Sequence, residues 1–184
     1  MKTAVSLYAA VLGPGFNRLA PALRDFHALQ GRVSLSGEVV VRPPAGRMAG
    51  WLARCLGAPR RPASGPIRFL LEAGPSAEVW TRHFPGRTMS SRLRLQDGAL
   101  VERLGAAELR FGLVERDGRL EMELQRMRFF GLPCPRWLRP RVRAIETGDA
   151  RRLHFDVSAS VPGLGLVASY QGYLDLDSCR MEPA

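Results

Sequence analysis

The sequence predicts a mainly β (α+β) domain: an antiparallel meander of about nine strands curled into a barrel or half-barrel, with short N-terminal helices and one helix between the first two strands. Three observations predict it. Turn signals recur at Gly74-Pro75, Pro85-Gly86, Asp97-Gly98, Gly105-Ala106 and Asp117-Gly118, at intervals of 8 to 12 residues. Between them apolar residues tend to alternate with polar ones, the period of strands with one covered face. Finally, three short helices cannot cover so many strands, so the sheet must bury its own face by curling.

The elements follow in order. Residues 4–12 read as a short helix closed by Gly13-Pro14-Gly15. With Lys2 ahead of it, this run has the outline of a secretory h-region, but Tyr8 interrupts it, no clear A-x-A site follows, and the segment runs straight into an amphipathic helix. A second helix spans Ala20 to Leu29, with Pro21 in its first turn and Leu23, Phe26 and His27 at i, i+3 and i+4. Val33, Leu35, Val39 and Val41 make the first strand, bent at Gly37 and stopped by Pro43-Pro44. Met48, Trp51, Leu52, Cys55 and Leu56 recur at i, i+3, i+4, i+7 and i+8 and predict an amphipathic helix with these residues on its apolar face.

The meander then runs through Ile67–Leu71, Trp80–Phe84, Met89–Leu95, Leu100–Leu104, Leu109–Leu113 and Leu120–Phe130. Gly131-Leu132-Pro133-Cys134-Pro135 breaks the rhythm, and Trp137, Leu138 and Val142 flank a basic turn. Strands at Leu153–Val161 and Ala168–Leu174 close the chain. The order strand, helical insertion, long meander is similar to the calycin group of lipid-carrying barrels. A closed barrel of about eight to ten strands can hold one small ligand.

Composition bounds the function classes. At 184 residues and 46% apolar, the chain suits a single domain, 1–184, with an ample core. The net charge is +10, and Lys2 is the only lysine among 27 basic residues. Arginine spread evenly along the chain reads as a compositional habit rather than a patch, although positive charge favours anionic partners in general. The three cysteines have no metal spacing and read as reduced thiols, which predicts a cytoplasmic location. No run approaches the ~20 apolar residues of a transmembrane segment.

Alternation places Trp80, Arg82 and Phe84 on one strand face and His83 on the other. If that face is inward, Arg82 is a buried cation that needs an anion from the protein or a ligand. If it is outward, Arg82 is a solvated cation–π stack. The ligand-binding candidates are Trp80, Arg82, Phe84, Ser91, Phe111, Met122 and Tyr170, with Arg82 meeting the acidic head of an acyl- or isoprenoid-like molecule. The excursion carrying Leu132, Pro133, Pro135 and Trp137 reads as a lid, a partner-docking loop, an interfacial anchor, or a rigid connection capping the barrel.

No catalytic residue, metal ligand or cofactor is predicted. There is no G-x-S-x-G, G-x-G-x-x-G or P-loop, and no cysteine lies near a histidine. His154 and Asp156 share a face, but Leu153, Phe155 and Val157 take the other, so the pair is expected in solvent beside Arg152. Arg92, Arg94, Arg103, Arg110, Arg116, Arg126 and Arg128 could track phosphates, but aromatics are only 8% of the chain and are not interleaved with them, which disfavours nucleic acid.

Four segments together resemble a bacterial family known only as a domain of unknown function. They are Leu7-Tyr8 through Leu23-Arg24 and His27; Trp80-x-Arg82-x-Phe84-x-Gly86 with Ser90-Ser91; Gly131-Leu132-Pro133-Cys134-Pro135; and Phe155-Asp156-Val157 through Gly172-Tyr173-Leu174. The resemblance implies a domain that occurs alone or C-terminal to reductases similar to saccharopine dehydrogenase or short-chain dehydrogenases, and it brings no catalytic residues with it. It also draws Leu7-Tyr8 into the folded domain, against a signal peptide. The leading expectation is a binding domain, more consistent with a non-enzyme, for a hydrophobic or amphipathic small molecule. The alternatives are an accessory or substrate domain working with a separate dinucleotide-dependent reductase, and an arginine-rich nucleic-acid binder.

Overall fold

A computed structural model describes residues 6–183. Ala4 and Val5, assigned above to the first helix, lie outside the described residues. The helices are α1 (Leu7–Leu12), α2 (Pro21–His27) and α3 (Gly46–Cys55), with a 3-10 turn over Gly13–Arg18. The strands are β1 (Gly31–Arg42), β2 (Ala63–Ala73), β3 (Ala77–Phe84), β4 (Arg87–Gln96), β5 (Ala99–Leu104), β6 (Ala107–Arg116), β7 (Arg119–Phe129), β8 (Leu132–Pro133), β9 (Arg141–Gly148), β10 (Arg152–Val161) and β11 (Gly165–Met181).

Strands β1 to β7 pair in chain order, β7 pairs with β9, and β9, β10 and β11 lead back to β1. The result is a closed barrel of 10 antiparallel strands, with β8 as a short extra rung on β7. Closure removes the free edges that an open meander would present. The expected nine strands fall one short of the barrel. The missing one is β9, where a basic turn was expected around Val142. Its inward row is Val142, Ala144 and Glu146, and its outward row is Arg141, Arg143 and Ile145. An acid on the inner face and an isoleucine on the outer one hide the period.

Gly37 owes its place to a close approach. A Cβ there would lie 1.8 Å from the Tyr173 carbonyl oxygen on β11, and one on Gly172 would lie 2.0 Å from that of Glu38. Two backbones cross here with no room for a side chain.

Helices close both ends. Ser6 caps α1 by accepting a hydrogen bond from the Ala9 N–H at 3.2 Å. Helices α1 and α2 plug one end, where the Ala20 N–H donates to the Gly118 carbonyl at 2.9 Å. Helix α3 covers the other, where the Ala106 N–H donates to the Cys55 carbonyl at 3.0 Å. Its buried face differs from the expected one. Ala49 and Ala53 are fully buried, while Met48 and Trp51 are exposed. The small residues let the helix lie close on the barrel, with Leu52 and Leu56 turned toward the interior. Among the described residues no helix is long and apolar enough to cross a membrane.

Candidate functional site

Strand β3 supplies the middle of the interior. Its period of two turns Glu78, Trp80, Arg82 and Phe84 inward, and all four are buried. Arg82 is therefore an interior cation. Its Nη1 donates to Ser91 Oγ at 3.2 Å, and its Nη2 lies 3.9 Å from Glu102 Oε1. The guanidinium also sits over the Trp80 and Phe69 rings, at 5.2 and 5.8 Å from their centroids. The protein itself supplies an anion to Arg82, so its burial does not by itself demand an acidic ligand.

The helical plug adds further polar groups. His27 of α2 meets Glu146 of β9 at 2.7 Å between Nε2 and Oε2. With a carboxylate as partner, Nε2 is the donating nitrogen. Tyr8 of α1 stacks on His27 with centroids 3.8 Å apart and lies 5.9 Å from Trp80. Trp80 Nε1 donates to Glu78 Oε2 at 2.9 Å. Burial pushes the Glu78 carboxyl above its ordinary value, opposed by that hydrogen bond. Burial, followed by the fields of Glu146, Glu78 and Glu102, raises the Tyr8 phenol well above its ordinary value. Tyr170 is raised as well, mainly by burial. Among the described residues the Tyr8 hydroxyl and His27 Nδ1 are buried without hydrogen-bond partners.

A cavity of about 130 Å³ runs from α3 to this polar floor. Leu52, Leu56, Phe129 and Pro140 line its α3 end, and Tyr8, Arg82, Glu102 and Glu146 line the floor. The wall between is apolar and includes Met89, Met122 and Met127. A smaller cavity of about 40 Å³ adjoins it, sharing Trp80, Arg82, Glu146, Val157 and Tyr170. The barrel wall is weakest beside the main cavity. Strands β7 and β9 pair only through Leu120 with Glu146 and Glu121 with Ile145. Beyond that point Arg139 Nη1 donates to the Gln125 carbonyl at 2.8 Å, a side chain standing in for a ladder partner. An outer groove along this seam shares Met122, Pro140, Val142 and Ala144 with the cavity.

Of the residues singled out from the sequence, Trp80, Arg82, Phe111, Met122 and Tyr170 line the cavity together. Ser91 is buried and steadies Arg82. Phe84 is buried but packs edge-on against Tyr170, with centroids 5.2 Å apart, and does not line the cavity. In the excursion, Leu132 and Trp137 are 71% and 76% exposed, and Pro133 and Pro135 are exposed too. The barrel end is covered by α3, not by these residues, and Trp137 stands in the outer groove. His154 and Asp156 face outward, paired with Asp149 and Arg143.

Sequence reasoning missed Tyr8, His27, Glu78, Glu102 and Glu146 as parts of one site. The available signal was a carboxylate interrupting an inward row: Glu78 before Trp80 and Arg82, Glu102 between Leu100 and Leu104, and Glu146 after Val142 and Ala144. Among the described residues no group of three or more His, Cys, Asp or Glu could hold a metal ion.

Fold and interior define a closed antiparallel β-barrel domain, plugged by helices, around an apolar cavity with a polar floor. The chain belongs to the family described as "Domain of unknown function (DUF4166)", whose sequence profile matches residues 19–174. No curated protein matches it. Among solved structures it is similar to the crystal structure of Rv2717c from M. tuberculosis, at a TM-score of 0.48 and 15% identity over 85% of this chain and 98% of that one.

Proposed function

We propose that the domain binds a small apolar or amphipathic molecule, acyl- or isoprenoid-like in body, inside the barrel. The observation that carries this reading is the interior cavity itself, apolar along its walls and polar at one end, the usual character of a small-molecule site. Its volume is close to the ~150 Å³ of an engineered apolar cavity that takes up benzene. A longer chain needs the α3 end to widen, and the unbranched side chains of Met89, Met122 and Met127 suit a wall that re-packs around different shapes. The β7–β9 seam is the proposed entrance. The excursion with Leu132, Pro133, Pro135 and Trp137 is its lid, since Trp137 stands in the groove beside the shared wall.

Native mass spectrometry of the purified protein, with thermal-shift measurements against fatty acids, prenyl alcohols and single-ring aromatics, tests the reading. A co-purified ligand or a concentration-dependent rise in Tm supports it. A ligand-free protein indifferent to the whole panel refutes it. Partnership with a reductase rests on the family resemblance, and a pull-down from the native host tests it. Nucleic acid is disfavoured because Arg94, Arg110 and Arg116 already face Glu108, Asp97 and the pair Glu121 and Glu123.

A further inference from the structure

Resting on the binding reading above, we infer that the polar floor selects a neutral hydrogen-bonding head, a carbonyl or hydroxyl on an apolar body, and rejects a carboxylate. Two observations carry this. The first is Tyr8, which is fully buried and lines the cavity, with a hydroxyl that has no hydrogen-bond partner among the described residues. A buried O–H without a partner is a standing preference for whatever ligand atom accepts from it. Burial and the neighbouring carboxylates keep that phenol protonated at neutral pH, so it is available as a donor.

The second observation is the charge already in place. One guanidinium, Arg82, faces Glu102 and is held by Ser91. Glu146 is bonded to His27, and Glu78 to Trp80. Among the described residues the cavity is therefore lined by two carboxylates, Glu102 and Glu146, and one arginine, with Glu78 buried beyond them beside Trp80. A ligand carboxylate would enter against these acids and displace Glu102 from Arg82, leaving that carboxylate buried without its cation. A ketone or alcohol accepts from Tyr8 and leaves every existing pair intact. The acidic head expected from Arg82 alone is thus replaced by a neutral one. An ammonium head would in turn compete with Arg82 for Glu102.

The test uses the full chain and four probes with one benzene-sized body: acetophenone, benzoate, benzylammonium and toluene. Each is titrated by ligand-observed NMR at neutral pH into wild type and Tyr8→Phe. Acetophenone is expected to bind roughly tenfold tighter than benzoate or benzylammonium, and severalfold tighter than toluene. Tyr8→Phe should bring acetophenone down to the level of toluene while leaving toluene unmoved. Benzoate or benzylammonium binding as tightly as acetophenone overturns the inference, and so does an unchanged acetophenone affinity in Tyr8→Phe. In either case toluene binding still upholds the apolar cavity as a site. If no probe binds, toluene included, the binding reading fails and this inference goes with it. Should Tyr8→Phe not fold, Glu102→Gln decides alongside the wild-type ranking. With one carboxylate neutralised, benzoate should gain on acetophenone, and an unaltered ratio counts against the charge argument.

Discussion

Among the described residues the barrel contains two histidine–carboxylate pairs that differ in almost everything except chemistry. His27 and Glu146 meet at 2.7 Å across 119 residues of sequence, with side chains 1% and 10% exposed. His154 and Asp149 meet at 3.1 Å across five residues, with side chains 43% and 57% exposed. The inner pair ties the helical plug to β9 and forms part of the cavity floor. The outer pair decorates the connection between β9 and β10. In the low-dielectric interior each partner depends on the other, because neither can turn to water instead. At the surface, solvent replaces a lost partner at little cost.

The largest expected effect comes from breaking the inner pair. Glu146→Ala should destabilise the fold by about 3–5 kcal/mol in chemical denaturation, the usual cost of stranding one member of a buried pair. His27→Leu combined with Glu146→Leu should recover much of that loss, because apolar replacement of both partners removes the stranded group as well. A Glu146→Ala protein losing well under 1 kcal/mol would put the inner pair on a level with the outer one.

Arg82 and Glu102 come next. Their 3.9 Å contact is looser, and Arg82 also leans on Ser91. Arg82→Met should cost about 1–3 kcal/mol, the range for leaving a buried polar group unsatisfied. Adding Glu102→Leu should reverse part of it. A strictly additive cycle would show that the two charges do not sense each other and would weaken the charge argument for the cavity floor.

The contrast between the pairs also explains what the sequence could reveal. His154 drew notice because an acid stood nearby on the same strand and alternation assigned it to solvent. His27 was legible only as one apolar-face residue of α2, since its partner lies on a strand that the inward acid itself concealed. Hairpins such as Asp97-Gly98 and Asp117-Gly118 are local, so the meander could be read directly. Closure depends on β7 meeting β9 and β11 meeting β1, pairings that no local signal encodes. The side on which Arg82 sits was undecidable for a similar reason. Trp80 and Phe84 mark its face as special, but they suit a buried face and a cation–π surface equally well. The orientation of α3 escaped because the alanines that let it pack closely carry less hydrophobic weight than the exposed Met48 and Trp51.

A smaller effect sharpens the interior side of the comparison. Burial raises the Glu78 carboxyl above its ordinary 4.5. The folded state therefore holds this proton more tightly than the unfolded chain, and stability falls as pH rises through the window above 4.5. Glu78→Gln keeps an acceptor for Trp80 and removes the buried charge. It should raise Tm at pH 7 by about 2–4 °C, the shift that about 1 kcal/mol makes in a domain of this size. Well below pH 4.5, where both states are protonated, the gain should vanish. A gain that persists there would assign the effect to packing instead of charge.

The smallest effect is expected outside. Asp149 is held down to about 2 first by the Arg151 backbone N–H, then by His154 and the Arg152 N–H. The sign is opposite to that of Glu78. A depressed carboxylate contributes stability above its ordinary 3.8, and the contribution is lost as pH falls toward about 2. His154→Gln removes the second of these causes, and a smaller charge effect of the same side chain, and leaves both backbone N–H groups in place. Tm at neutral pH should not change measurably, and an NMR titration of the Asp149 carboxyl should still find it below 3.8. The turn presents two backbone N–H groups to one carboxylate, the first of them the largest cause, so part of the depression should survive without the histidine. Were Asp149 to return to its ordinary value in this variant, the histidine would be the dominant partner after all. The outer pair would then differ from the inner one in exposure alone.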